Sequence, residues 1–263
     1  MSLLGREVSE LGSTRLFPSI SPLILAGVLT VAVAWAPGPA NGAQCKPGDH
    51  LIDEDETHIY CLTADEVGNY QYLTKRLQEQ AETWNMKGDL RGGFADAHAC
   101  MCGGITDKAL ARGFKQNRWI LKLNRVFVES FFAWLKQWES RTGKGNMPKR
   151  WWLAFSRAEA IQHDPSRKDP SLPGGDLPVS ARKRVTLVLA GAHIFEDIPM
   201  ALRKEGCGPK DDFEAVMDVI DMCEKKILGP FTKELKDWAG RLGYPRANAI
   251  RDWRTVAWKS VCR

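Results

Sequence analysis

Two side chains able to do chemistry lie four residues apart in the most apolar long stretch of the chain after residue 43. Arg184–Arg203 is rich in Val, Leu, Ile and Ala, and His193 and Asp197 lie within it. Positions i and i+4 share a face of a helix, so the imidazole and the carboxylate would lie side by side. Burying such groups without partners is costly. The pair therefore either satisfies itself and nearby backbone groups or holds a metal ion or a substrate.

Two kinds of chemistry fit this pair. Its nitrogen and oxygen atoms could ligate zinc or another divalent metal, and a catalytic zinc site needs about three protein ligands plus water. Alternatively, Asp197 could orient His193 as a general base. Further ligands would come from other histidine and acidic residues, and the candidates are Asp96, His98, Glu159, His163 and Asp164. The alternative to both is a structural polar cluster that locks helices together.

A second group of candidate ligands occupies Asp96–Cys102, which contains His98 and two cysteines. Structural zinc sites usually separate paired cysteines by two or more residues, whereas here only one intervenes. We expect these thiols to oxidise if the protein is exported. The metal hypothesis therefore rests on two histidines and two aspartates, which are His98, His193, Asp96 and Asp197.

The periodicity of apolar residues predicts an all-α fold, a single-domain antiparallel helical bundle. The strongest pattern is Arg118–Arg141, where apolar residues recur at three- and four-residue steps. Thr63 and Glu66 predict a capping box at the start of an earlier helix, with Tyr72, Leu73 and Leu77 facing inward. The remaining helices are predicted at residues 106–111, 148–161, 180–203, 211–229, 231–242 and 247–261.

Three segments are interpreted as irregular. They are residues 44–63, the glycine-rich residues 87–104, and the Pro/Gly-rich loop 162–180. The acidic run within the first segment, residues 53–56, is interpreted as a solvated loop, with calcium binding as the alternative. The resulting domain division is 1–43, 44–104 and 105–263, in which the last range is the helical core.

The N-terminal region is typical of a secretory signal. Arg6 and Arg15 precede an apolar run, Leu23–Ala36, and small residues follow it, so we expect cleavage near residues 42–44. The alternative is an uncleaved membrane anchor. All seven cysteines follow this region, and export would allow disulfides. The spacing suggests bridges between Cys45 and Cys61 and between Cys207 and Cys223, and the odd count leaves at least one thiol unpaired or intermolecular.

Composition narrows the function classes. The 263 residues carry a net charge of +5 that is spread along the chain, which permits contact with anionic surfaces. No nucleic-acid-binding motif is present, so specific nucleic-acid binding is not expected. The chain also lacks a G-x-S-x-G nucleophile elbow, and its glycine pairs lack the strand–turn–helix context of phosphate loops.

Leu189–Leu202 resembles the hallmark segment of a bacterial all-helical family known only as a domain of unknown function, with its Ala-His-Ile-x-x-Asp-(Leu/Ile)-Pro pattern. The likeness extends more weakly to residues 124–127, 150–152 and 212–218, and covers roughly residues 105–225. It implies a helical fold and a special place for His193, Asp197 and Pro199, but no reaction. A fainter likeness is to the zinc-dependent phospholipase C and single-strand nuclease group, whose core helices also carry His and Asp ligands four residues apart.

Two functional hypotheses follow from these residues. The first is an exported helical protein that acts as a metal-dependent hydrolase of phosphoester or lipid substrates through His193 and Asp197. The second is a non-enzymatic helical module that binds a partner or an apolar ligand between its helices. In the second, the histidine and the aspartate form a buried polar cluster.

Overall fold

The computed structural model describes residues 44–54, 58–141, 146–166, 180–228 and 249–262. Most of them are helical, which confirms the all-α prediction. A two-stranded hairpin comes first, with β1 at His50–Glu54 and β2 at Ile59–Leu62. The helices are α1 Ala64–Met86, α2 Gly92–Leu110, α3 Asn117–Glu139, α4 Lys149–His163, α5 Ala181–Ala192, α6 Ile198–Glu205, α7 Lys210–Leu228 and α8 Ala249–Lys259. The export signal, the residues 55–57 of the acidic run, most of the long loop and the helix expected at residues 231–242 lie outside the described residues.

The hairpin corrects the prediction that residues 44–63 are irregular. β1 and β2 pair antiparallel, and Ile52 is fully buried. Asp53, expected in a solvated loop, accepts hydrogen bonds from the backbone N–H groups of Asn117 and Arg118 at the start of α3. A carboxylate at this position satisfies donors that the first turn of a helix leaves free. The hairpin therefore fixes the start of the helix that crosses the core.

Helix α2 corrects the second expectation, because residues 92–104 are helical rather than broken. Its glycines allow neighbouring helices to approach closely. A Cβ atom at Gly93 would lie 2.6 Å from the Thr186 hydroxyl of α5, and one at Gly104 would lie 2.7 Å from Val219 of α7. A glycine in a helix costs roughly 1 kcal/mol relative to alanine, and here the close packing on both sides offsets that cost. The domain boundary proposed at residue 104 falls inside this helix.

The predicted apolar face of α3 is confirmed. Its inward residues are buried, except that Phe127 and Trp134 are half-buried. The Thr63 capping box on α1 is also confirmed, since Thr63 accepts from the N–H of Glu66 and its own N–H donates to the Glu66 carboxylate. Leu77 is buried, but Tyr72 is 57% exposed, so its predicted inward position is wrong. Its hydroxyl and ring lie on the outer face of a helix that packs on one side only.

The stretch from Ala181 to Glu205 forms the centre of the bundle. It is long and apolar enough to cross a membrane, yet 72% of its most apolar window is buried against other parts of the chain. Ser180 caps it by accepting a hydrogen bond from the N–H of Lys183, as predicted. This degree of burial is typical of the core helix of a folded domain.

Three disulfides cross-link the described residues, and two of them join segments that are distant in the sequence. Cys45–Cys61 closes the hairpin, which confirms that prediction. Cys223 bonds to Cys100 of α2, and Cys207 bonds to Cys262 after α8, so the expected Cys207–Cys223 bridge is wrong. Cys102 is the free cysteine, and burial raises the pKa of its thiol, which keeps it protonated and unreactive.

The bridges should differ in how much they stabilise the protein. The Cys100–Cys223 bridge closes a loop of 123 residues and Cys45–Cys61 one of 16. Loop-closure entropy predicts losses of about 5 and about 3 kcal/mol on replacing each pair with alanine. Urea denaturation of the two double variants measures the difference. Equal losses would show that the bridges do not act mainly by restricting the unfolded chain.

Candidate functional site

His193 and Asp197 lie in a turn of π-helix that interrupts the central helix. The turn spans His193–Asp197, and the N–H of Ile198 donates to the carbonyl of His193, five residues earlier. Pro199 follows immediately and has no N–H to donate to the carbonyl of Phe195, so the regular i to i−4 ladder cannot run through this point. Single π turns of this kind occur often at functional sites.

Asp197 is the most completely engaged side chain in the site. It has no exposed surface, and its Oδ2 accepts a hydrogen bond from Nδ1 of His193 at 2.8 Å. Its Oδ1 accepts from the indole N–H of Trp151 at 2.9 Å and from that of Trp134 at 3.2 Å. Three N–H groups on α3, α4 and the π turn therefore converge on one carboxylate. Hydrogen bonds to an ionised acceptor are about twice as strong as neutral ones.

His98 of α2 lies against the other side of His193. The two ring centroids are 4.7 Å apart, and His98 is 1% exposed. Neither of its ring nitrogens has a hydrogen-bond partner among the described residues. Burial first, and the neighbouring His193 second, lower the pKa of His98 well below its usual value of 6.5. His98 is therefore neutral, with one nitrogen able to donate and the other able to accept.

The two histidines line a small cavity between α2, α3, α7 and the π turn. Its volume is about 40 Å³, and its lining is apolar apart from four polar side chains, which are His98, Asn124, His193 and Arg254. The Oδ1 atom of Asn124 has no partner among the described residues, while its Nδ2 donates to the carbonyl of Cys102 and to the Thr106 hydroxyl. A water molecule needs roughly 10–15 Å³ and two or more polar partners. The cavity thus has room for a few water molecules.

The other predicted ligands do not converge on the pair. Asp96 lies on α2 and forms an ion pair with Arg182 at 2.7 Å. Glu159 pairs with Arg141 at 2.6 Å on the surface of α4. Helix α4 ends at His163, which is exposed, and Asp164 follows it and accepts a hydrogen bond from Ser166. The structure therefore brings together His193, Asp197 and His98 only.

These residues do not fit a zinc site. Among the residues that the structure describes, no three His, Cys, Asp or Glu side chains are grouped so that they could hold a metal ion. Asp197 already accepts three N–H groups, and Nδ1 of His193 donates to it. The nitrogen atoms left near one another belong to two residues, His193 and His98. A catalytic zinc has three protein ligands.

The comparisons with known proteins leave the resemblances untested. No protein-family model, curated protein sequence or solved structure matches the chain. The likenesses of Leu189–Leu202 to the domain of unknown function and to the zinc-dependent enzymes stay predictions.

Sequence reasoning did not identify the partners of the pair. Helical periodicity places Trp134 and Trp151 only among the apolar residues of predicted helices, although an indole N–H needs an acceptor when it is buried. The sequence held part of the signal, because two core tryptophans on predicted helices require buried acceptors and Asp197 is one of the two acidic residues of the most apolar stretch. Asn124 carried no comparable signal, because a single amide on a helix is normally read as exposed.

Acid should destabilise the protein through His98. The unfolded chain binds a proton at His98 below about pH 6.5, whereas the folded chain does not, so this contribution to stability is present at neutral pH and is lost as the pH falls. For one such group, the free energy of unfolding changes by at most about 1.4 kcal/mol per pH unit. Replacing His98 with Phe should flatten the dependence of the unfolding free energy between pH 7 and pH 5.

His163→Gln is the matched control, because it removes an exposed histidine from the end of α4. Denaturant titrations at several pH values compare the two variants with the unmodified protein. If His98→Phe keeps the full pH dependence, His98 is protonated in the folded protein and the neutral assignment is wrong.

Proposed function

We propose that the protein is a non-enzymatic helical binding module of an oxidising compartment, in which His193 and Asp197 are a structural polar cluster. The observation that carries this proposal is the engagement of Asp197 by three N–H donors from three elements. A buried carboxylate with that many donors has little capacity left for a metal ion or a substrate. The role of Asp197 is to hold α3, α4 and the π turn in a single arrangement.

The size of the cavity also favours a binding module over a hydrolase. Pockets for drug-sized ligands measure roughly 300–1,000 Å³, whereas the cavity that His193 lines measures about 40 Å³. A phosphoester or a lipid would not reach Nε2 of His193 unless the surrounding helices moved apart. His193 is 7% exposed, which also limits its access to solvent.

The disulfides support the proposed location. Three bridges join described residues, and such bridges persist in oxidising extracellular environments rather than in the cytosol. Together with the signal-like N-terminal sequence, they favour an exported protein. N-terminal sequencing of the mature chain tests this, and an intact Met1 would contradict cleavage.

The polar cluster should contribute strongly to stability. Asp197→Asn replaces an acceptor by an amide that cannot take three N–H groups, so we expect a loss of about 3–5 kcal/mol. Trp134→Phe removes one donor and keeps the carboxylate, so its loss should be smaller, about 1.5–3 kcal/mol. Chemical denaturation with the disulfides intact measures both. Losses under 1 kcal/mol for Asp197→Asn would contradict a structural cluster.

Zinc should not change the stability of the protein. A metal that binds the folded state raises the melting temperature by an amount that grows with the ratio of its concentration to its Kd. Without a zinc site, melting curves with added zinc, with EDTA and with neither should coincide. His193→Ala is the comparison variant, and its melting temperature should fall equally in all three conditions. A rise with zinc in the unmodified protein that disappears in His193→Ala would restore the metal-dependent hydrolase.

A further inference from the structure

A larger pocket lies beside the π turn, where Phe195 lines it. Its volume is about 310 Å³, within the range of ligand sites. Helix α4 contributes Arg150, Leu153, Ala154 and Arg157, which follow one another at helical spacing on a single face. The wall opposite is apolar and consists of Leu187, Val188, Gly191 and Ala192 of α5, Phe195 of the π turn and Trp253 of α8.

The charged side chains that line this pocket have one sign. Its lining contains two arginines and no carboxylate. Arg150 is already paired, because its Nε lies 3.2 Å from Glu196 and its guanidinium lies over the Phe195 ring. Arg157 is half-buried and forms no ion pair with any acidic side chain that the structure describes. A half-buried cation beside an apolar wall is complementary to an acid that carries a hydrocarbon chain.

We propose that this pocket binds one molecule of an amphiphilic monocarboxylic acid, with the carboxylate against Arg157 and the chain against the α5 wall. The proposal rests on the proposed function, because it names the ligand class of the binding module. It is separate from the His193 cluster, since only Phe195 of the π turn reaches the pocket. The volume accommodates a medium-length chain rather than a macromolecule.

Gly191 supplies a steric test of the pocket. A Cβ atom built on Gly191 would meet no other atom within 4 Å, although the residue lies in the pocket wall. Gly191→Leu therefore extends into open space and should fill the pocket without disturbing the fold. Removing a helical glycine should also leave the melting temperature unchanged or raised.

Calorimetric titration of the full chain with octanoate, octan-1-ol and octylamine tests the ligand class. The three probes share a chain length and differ in the charge of the head group. We expect octanoate to bind at least about tenfold more tightly than the alcohol and the amine, because a charged acceptor strengthens the hydrogen bond to a guanidinium. Arg157→Gln should remove that preference, and Gly191→Leu should abolish binding of octanoate.

Lys149→Gln is the matched control, since it removes a positive charge from an exposed position on the same helix outside the pocket. It should leave octanoate affinity within about twofold, because exposed charges outside a site contribute little. Equal binding of octanoate and octan-1-ol would contradict the proposed specificity for an acid. The proposed function as a binding module would still stand. No binding of any probe, or octanoate binding that persists in Gly191→Leu, would contradict the assignment of this pocket as the binding site. Failure of the structural cluster is measured separately by chemical denaturation of Asp197→Asn, and a metal site by the zinc melting curves.

Discussion

Three N–H groups from three elements converge on the fully buried carboxylate of Asp197. Asp197 is fully inaccessible to solvent and is held by His193, Trp134 and Trp151. A carboxylate is expensive to remove from water, and its three hydrogen bonds offset that cost. Because the donors come from three different elements, these hydrogen bonds constrain the relative positions of α3, α4 and the π turn. In the proposed function, the polar cluster selects one packing of the bundle, while apolar burial supplies most of the driving force.

The π turn contributes to the walls of two different cavities. On one side, His98 and Asn124 line a small cavity, and the His98 ring nitrogens and the Asn124 Oδ1 have no hydrogen-bond partner among the described residues. On the other side, Phe195 faces the larger pocket beside Arg157. The rigidly held π turn lies between them, so a ligand in the pocket would rest against a wall that is already fixed. A preorganised wall reduces the ordering cost of binding.

Local patterns in the sequence were sufficient for the features that depend on neighbouring residues. The capping box at Thr63, the apolar face of α3 and the burial of His193 with Asp197 follow from spacing along a single helix. The errors arose where distant segments decide the outcome. Gly93 and Gly104 were read as helix breakers, because their close contacts with α5 and α7 cannot be seen in one segment.

The same reason explains the disulfides and the donors to Asp197. Cys223 bonds to Cys100, which lies 123 residues away, although Cys207 is closer in the chain. Trp134 and Trp151 precede Asp197 by 63 and 46 residues, so their shared acceptor becomes evident only after the helices are packed. The pairing of β1 with β2 was missed for a related reason, since the hairpin is short and its strands bury only Ile52 and Leu62.

The π turn amounts to one residue more than a regular helix would contain at this point. Removing a single residue between Ala192 and Ile198 would restore the ordinary backbone ladder with little rotation of the helix beyond the deletion, because a π turn fits one more residue into about the same rotation as an α turn. The extra residue therefore changes the spacing of side chains within this one turn while α5 and α6 keep their angular register.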